Sequence, residues 1–349
     1  MKTSFFLKMK QIWKKWEFVL FLVIVLEIVI FAGKNSKFLM PRVLFGSMND
    51  IISICIISLF VTFVMITGGI DIQAGSIVGL SSIILGVAWQ DGGVNIWAAS
   101  LLAMAAAGVC GGVSGFFIAY CNVQPMVVTL GGSFLYTGIA LLVSKLSATE
   151  SYKGINGFPE SFLKLSKFRL FGVIPSQVII FLFLAVLAYF ILHKTRYGRQ
   201  VFLVGVNQNA AEYSGIHTKL IIMSTYVLSA VSASVAGIIL TSYLGTAKSD
   251  IGATLTLPII TAVVLGGTLS TGGKGSVLGT ALAAIAIGTL RFGLPLCFKV
   301  SQQYLDIPVG ILLLVIIIGR ALFGRPQFKT YLMKMKRIGR GNKRVTPHL

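Results

Sequence analysis

The chain has 349 residues, of which 56% are hydrophobic and only 11% charged, whereas soluble domains carry charge at roughly 25%, so a water-soluble globular domain is excluded. The formal net charge of +20 would suit nucleic acid, but the basic residues crowd the ends: Lys2, Lys8, Lys10, Lys14 and Lys15 at one, Arg320 to Arg344 at the other. Both sets abut apolar spans, where the positive-inside rule and anionic lipid place them, so they imply a membrane surface and no nucleic acid.

A hydrocarbon core about 30 Å thick needs about 20 apolar residues per helix. Ten segments approach that length: 17–33, 50–67, 72–89, 97–120, 125–144, 174–193, 221–245, 255–270, 276–298 and 303–323. The first is followed by more spans and has no small-residue cleavage pattern, so it is a signal anchor. The expected fold is an all-α polytopic membrane protein with about ten transmembrane helices, some short or broken. It divides into a basic N-terminus (1–16), a transmembrane domain (17–323) and a basic tail (324–349). Ten crossings with a cytoplasmic N-terminus put the polar loop at 146–172 outside, and the basic loop at 193–220 and the C-terminus inside, in agreement with the charge rule.

In chain order, the first unusual stretch is MITGGIDIQAGSIVGL, Met65 to Leu80. Only a few residues around Gly68 and Gly69 separate two apolar segments between Ile51 and Trp89, so one of these is a candidate re-entrant or strongly tilted helix. Asp71 is the only acid near the middle of the apolar sequence, and intramembrane carboxylates often mark ion pathways. A lone carboxylate is thin support for a proton relay. The topology puts it near a cytoplasmic helix end, where Gly68 and Gly69 permit the turn and Asp71, just before Ile72, caps the next helix. Further on, runs such as Gly111-Gly112-Val113-Ser114-Gly115 allow close helix packing. GSIVG at 75–79 recurs as GSVLG at 275–279, each after a GG pair (68–69 and 266–267), which suggests two structural repeats.

The stretch GGTLSTGGKGS, Gly266 to Ser276, resembles a phosphate-binding loop and fails as one. Lys274 is followed by Gly275 where Ser or Thr is needed, and Thr268 occupies the position of the first glycine. Gly272, Gly273 and Lys274 are better placed in a cytoplasmic glycine turn between two helices. No HExxH is present, and Cys55, Cys110, Cys121 and Cys297 lack metal-ligand spacings. The expectation is therefore no catalytic residue, no metal and no cofactor bound by this chain.

Three blocks carry a resemblance: TGGIDIQAGSIVGL, GRQVFLVGVNQNAAEYSGI from Gly198 to Ile216, and AVVLGGTLSTGGKGSVLGT from Ala262 to Thr280. In that order they are similar to the membrane permeases of sugar-type ABC importers, the ribose/galactose/autoinducer-2 group. PMVVTLGGSFLY, YKGINGFP, LHKTRYGR and KSDIGATLTLPIITAVVLGG resemble the branch that imports autoinducer-2. The resemblance implies a transport subunit and no enzyme. It also implies a second permease, an ATP-binding subunit that carries the ATP and Mg, and a periplasmic autoinducer-2 binding protein. Gly198 and Arg199 open the cytoplasmic coupling loop, and Asn207, Ala210, Ala211, Ser214 and Gly215 match the family's coupling-helix pattern. Gln208 and Asn209 replace acidic residues common there. A small polyhydroxylated solute needs hydrogen-bond partners and no counter-ion, and Ser81, Ser82, Thr129, Ser133, Thr261 and Thr268 are available for that. The alternatives are a ribose-like sugar importer and a stand-alone proton-coupled transporter using Asp71.

Overall fold

A computed structural model describes residues 16–149, 153–301 and 304–324. The basic N-terminus up to residue 15 and the tail from residue 325 lie outside the described residues. The chain forms two compact units, Met1–Val300 and Ser301–Leu349. Of the second, the main described element is the helix Asp306–Gly324.

Each of the ten apolar segments contains a helix. In chain order these are α1 (Trp16–Lys34), α2 (Pro41–Ile66), α3 (Ala74–Gln90), α4 (Ile96–Ala119) and α5 (Pro125–Ser144). Then follow the short α6 (Glu160–Lys167), α7 (Ser176–Lys194), the short α8 (Arg196–Val206) and α9 (Gln208–Tyr213), α10 (Thr218–Leu244), α11 (Thr256–Leu265), α12 (Val277–Phe298) and α13 (Asp306–Gly324). Among the described residues six helices, α1, α4, α5, α7, α10 and α12, are long and apolar enough to cross a membrane, and Ile51–Ile66, α3 and α11 are shorter apolar helices. Large side chains on α1 and α7, among them Leu26, Val29, Phe183 and Val186, point outward, as they do on helices that face hydrocarbon.

Two boundaries differ from the sequence expectation. Helix α2 starts nine residues earlier than hydropathy suggests, at Pro41 in the first helical position, where the missing N–H costs nothing. The expected span 255–270 contains a helix of only 10 residues, about 15 Å long and half a bilayer. The shortest apolar helix near the glycine break is thus α11, far along the chain; α3, just after the break, has 17 residues and α2, just before it, has 26.

The other half of that crossing is irregular backbone laid on the glycine face of α3. A Cβ on Gly75 would meet the Gly252 carbonyl at 2.6 Å, one on Gly79 would collide with the Ser249 carbonyl, and one on Gly86 would meet Ala247 at 2.9 Å. The segment ends where the Thr256 hydroxyl donates to the Ile72 carbonyl at 3.3 Å. Non-helical backbone at membrane depth is tolerated only where protein covers it, and the small residues of α3 provide that cover.

The sequence echo corresponds to a shared local structure. At the end of α2 the Gly69 N–H reaches the Val64 carbonyl and the Gly68 N–H the Met65 carbonyl, both at 3.0 Å. At the end of α11 the Thr268 N–H reaches Val263 at 3.3 Å and the Gly267 N–H reaches Val264 at 3.0 Å. Gly68 and Gly267 have φ of +86° and +96°, the left-handed conformation that ends a helix this way. The repeated GS-x-x-G then opens α3 in one case and α12 in the other.

The loop expected at 146–172 is a folded cap over one end of the bundle. Its strand β1 (Ile155–Asn156) pairs with β4 (Thr246–Ala247), and β2 (Arg169–Leu170) pairs with β3 (Ile174–Pro175). Buried Phe158 and Phe162 anchor it, and hydroxyls of Ser166 and Ser242 donate to carbonyls of Ile239 and Phe162. Helices α8 and α9 close the opposite end.

Candidate coupling site

The turn from α7 into α8 is built by Thr195. Its hydroxyl donates to the Ile191 carbonyl at 2.6 Å and accepts the Gly198 N–H at 3.2 Å, which caps α8. Gly198 is buried against the Leu192 and Ile191 carbonyls, where any side chain would collide, and Arg199 is exposed. Tyr197 bonds Ser224 of α10 at 2.7 Å; burial pushes its phenol above the ordinary range, with the Ser224 bond acting the other way, so it stays neutral.

Helix α9 begins after Asn207, whose side chain accepts the Ala210 N–H at 3.0 Å. It stops at Gly215, with φ of +81° and the Ile216 N–H on the Ala211 carbonyl at 3.1 Å. Ala211 is buried, while Asn207, Ala210, Ser214 and Gly215 are exposed and nothing lies within 4 Å of a Cβ on Gly215. Tyr213, which the sequence does not single out, is 93% exposed. The short helix therefore presents one bare outer face.

The end of α8 touches two other predicted motifs. The Gly273 N–H donates to the Ile66 carbonyl at the end of α2, at 2.8 Å. Gly205 of α8 lies on this bond: a Cβ there would collide with the Ile66 oxygen and stand 2.7 Å from the Gly273 nitrogen. Gly272, at φ +85°, is wedged among the Gly205 carbonyl, the Ile66 carbonyl and the Gly68 nitrogen. Three glycine-bearing segments thus meet backbone to backbone, with Lys274 exposed beside them. The glycine turn is tied to α1 as well, through Ser276 to Glu17 at 3.1 Å and the Trp16 indole to the Leu265 carbonyl at 2.7 Å.

From this junction residues 67–73 run to the start of α3, held by four helices. The Thr129 hydroxyl of α5 donates to the Ile70 carbonyl at 3.0 Å, and Thr256 of α11 holds Ile72. Asp71, 1% exposed, accepts the Gln73 N–H at 3.1 Å and the Ser229 hydroxyl of α10 at 2.6 Å. Buried Gln73 in turn accepts the Ser114 hydroxyl of α4 at 2.7 Å. Asp71 therefore bonds the residue just ahead of α3, and it also ties the break to α10. The contributions of Gln73, Ser114 and Ser229 were invisible in the sequence, since nothing local to each residue marks which distant polar group it meets. Of the hydroxyls considered for a solute path, Ser82 is bonded to Thr241 at 2.7 Å and Ser133 to Ser76 at 2.9 Å, while those of Ser81 and Thr268 are buried without a partner among the described residues. No cluster of metal-ligating side chains occurs among the described residues.

The chain is a multi-pass helical bundle with a broken-helix junction beside two short helices, α8 and α9, and the class of protein it belongs to is that of the membrane permeases. The family profile described as branched-chain amino acid transport system, permease component, matches residues 43–317, and the chain belongs to that family. It is a transport subunit of the inner membrane and no enzyme. Among curated relatives it is 40% identical over 307 residues to the autoinducer 2 import system permease protein LsrD of Yersinia pseudotuberculosis (serotype O:3, strain YPIII), covering 88% of this chain and 91% of the relative. The protein of that name from Yersinia pestis (strain Pestoides F) is equally similar, at 40% over the same 307 residues.

Proposed function

We propose that this chain is the LsrD-type permease of an ATP-driven importer whose solute is autoinducer 2. In this reading it pairs with a second, LsrC-like permease and receives solute from a periplasmic binding protein. ATP and Mg are bound by a separate ATP-binding subunit seated on α9. Both termini, α8 and α9 then face the cytoplasm and the β1–α6 cap faces the periplasm, in keeping with the basic residues around 193–220.

The observation that carries the coupling role is the backbone junction of Gly205, Ile66 and Gly273. A displacement of α9 by a closing ATPase moves α8, to which it is joined at Asn207. Contact this tight leaves no slack, so the motion passes to the end of α2 and to the break at 67–73, a rigid-body switch of the hinge and shear type. Asp71 and its partners hold the start of α3 to α10 and α4, so those helices move with it.

Co-purification tests the assembly: detergent extracts of cells expressing the whole operon should yield the ATP-binding subunit with this chain. Ala210→Trp, on the exposed face of α9, should abolish autoinducer 2 uptake while the protein remains in the membrane; uptake that survives overturns the docking role. Ligand accumulation by this chain alone in liposomes under an imposed proton gradient would overturn the ATP-driven reading.

A further inference from the structure

A cavity of about 250 Å³ opens beside the break at the α8/α9 end, lined by Thr67, Gly68, Gly69, Gln124, Gln208 and Tyr226 among others. We infer that this cavity is a binding site for the transported solute on the cytoplasmic side, specific for a small neutral polyhydroxylated molecule. The inference rests on the importer reading above.

The lining chemistry selects the ligand class. Asn122, Gln124 and Gln208 offer amides, Thr67 a hydroxyl, and Gly68 and Gly69 bare backbone, with Ile118, Val123, Pro125 and Ile222 as the apolar wall. Among the described residues no charged side chain lines it. A zwitterionic amino acid or a phosphorylated sugar brings charge that such a wall leaves uncompensated, whereas a neutral polyol finds both hydrogen-bond partners and a surface for its C–H groups.

Tyr226 is the second, independent observation. It is 0% exposed, and its hydroxyl has no hydrogen-bond partner among the described residues. A buried hydroxyl left unpaired is unfavourable, and of the buried polar side chains without a partner among the described residues, Tyr226 is the one that borders this cavity. The hydroxyl stands against Gly69, where a Cβ would collide with it, so glycine at 69 is what leaves room for the phenol at the cavity wall. A solute hydroxyl or carbonyl in the cavity would supply the missing partner.

The site also bears on regulation. Gln208 is the first residue of α9 and Gly68 sits in the backbone junction, so an occupied cavity bridges the docking helix and the break. Solute accumulated in the cytoplasm then biases the position of α9, and by linkage the state of α9 alters the affinity for solute.

The test uses the whole importer in inside-out membrane vesicles. Gln124→Cys, made in a Cys121→Ser background, is labelled from the cytoplasmic side with a membrane-impermeant maleimide. Saturating autoinducer 2 should slow the labelling at least fivefold, and leucine should not. Tyr226→Phe should leave labelling without solute unchanged, and raise the concentration for half-protection about three- to tenfold, the effect of one neutral hydrogen bond. Equal protection by leucine, or an unshifted Tyr226→Phe, overturns the assignment. Uptake in right-side-out vesicles separates the two readings: unprotected Gln124→Cys in an importer that transports overturns the site alone, whereas failed ATP-driven uptake overturns the importer reading beneath it.

Discussion

Gly205→Ala probes the junction most directly. The added methyl would stand 2.7 Å from the Gly273 nitrogen, against about 3.4 Å for an ordinary contact, and would also collide with the Ile66 carbonyl. If the glycine turn yields, it must retreat by about 0.7 Å, which stretches the Gly273–Ile66 hydrogen bond from 2.8 Å to the limit of bonding. Losing a buried backbone bond costs about 1–3 kcal/mol and overpacking about 1–3 kcal/mol more. Alanine's better helix propensity returns about 0.5–1 kcal/mol, so the expected net loss is about 1–5 kcal/mol. Gly131→Ala is the control, because it lies in α5 with nothing within 4 Å of its Cβ; it should be neutral or stabilising. Thermal unfolding of the detergent-purified protein measures both. Transport in the Gly205→Ala variant should fall more than its abundance in the membrane. A Gly205→Ala protein that unfolds with the wild type and transports normally would refute the tight junction.

Asp71→Asn keeps the acceptor for the Gln73 N–H and turns its amide NH2 to the Ser229 hydroxyl, which can rotate to accept, so uptake should remain largely intact; Asp71→Ala strands both donors in a buried site and should cost about 2–4 kcal/mol in unfolding measurements. A severe transport loss in a well-folded Asp71→Asn would revive an ion-site role. Gly79→Ala places a methyl on the Ser249 carbonyl and should lower stability by about 1–3 kcal/mol, with faster hydrogen exchange confined to residues 247–256. Gly215→Ala has open space and strains only the left-handed φ, so its cost should stay near 1 kcal/mol. Any larger uptake defect in that variant reports lost docking, measured as ATPase subunit retained on purification.

What the sequence determined by itself is what depends on neighbours along the chain. A run of apolar residues fixes a span wherever it packs, and the GG pairs at 68–69 and 266–267 mark helix ends because only glycine takes the left-handed turn cheaply. The short helix after Asn207 follows in the same way from a local cap and a local stop. The apolar content of 255–270 gave no warning that its helix is only 10 residues long and that the backbone just before it, residues 247–255, is irregular, since hydropathy counts side chains and is blind to backbone. That shape depends on Gly75 and Gly79, whose flat face lies more than 160 residues away in the chain. Asp71 was legible as a turn residue, yet its partner Ser229 is 158 residues distant and indistinguishable from any other small polar residue of α10. Likewise Gly205, Ile66 and Gly273 belong to three motifs that sequence kept apart. Only tertiary structure decides such meetings, because close approach of backbones is set by where whole helices lie, and the glycines merely permit it.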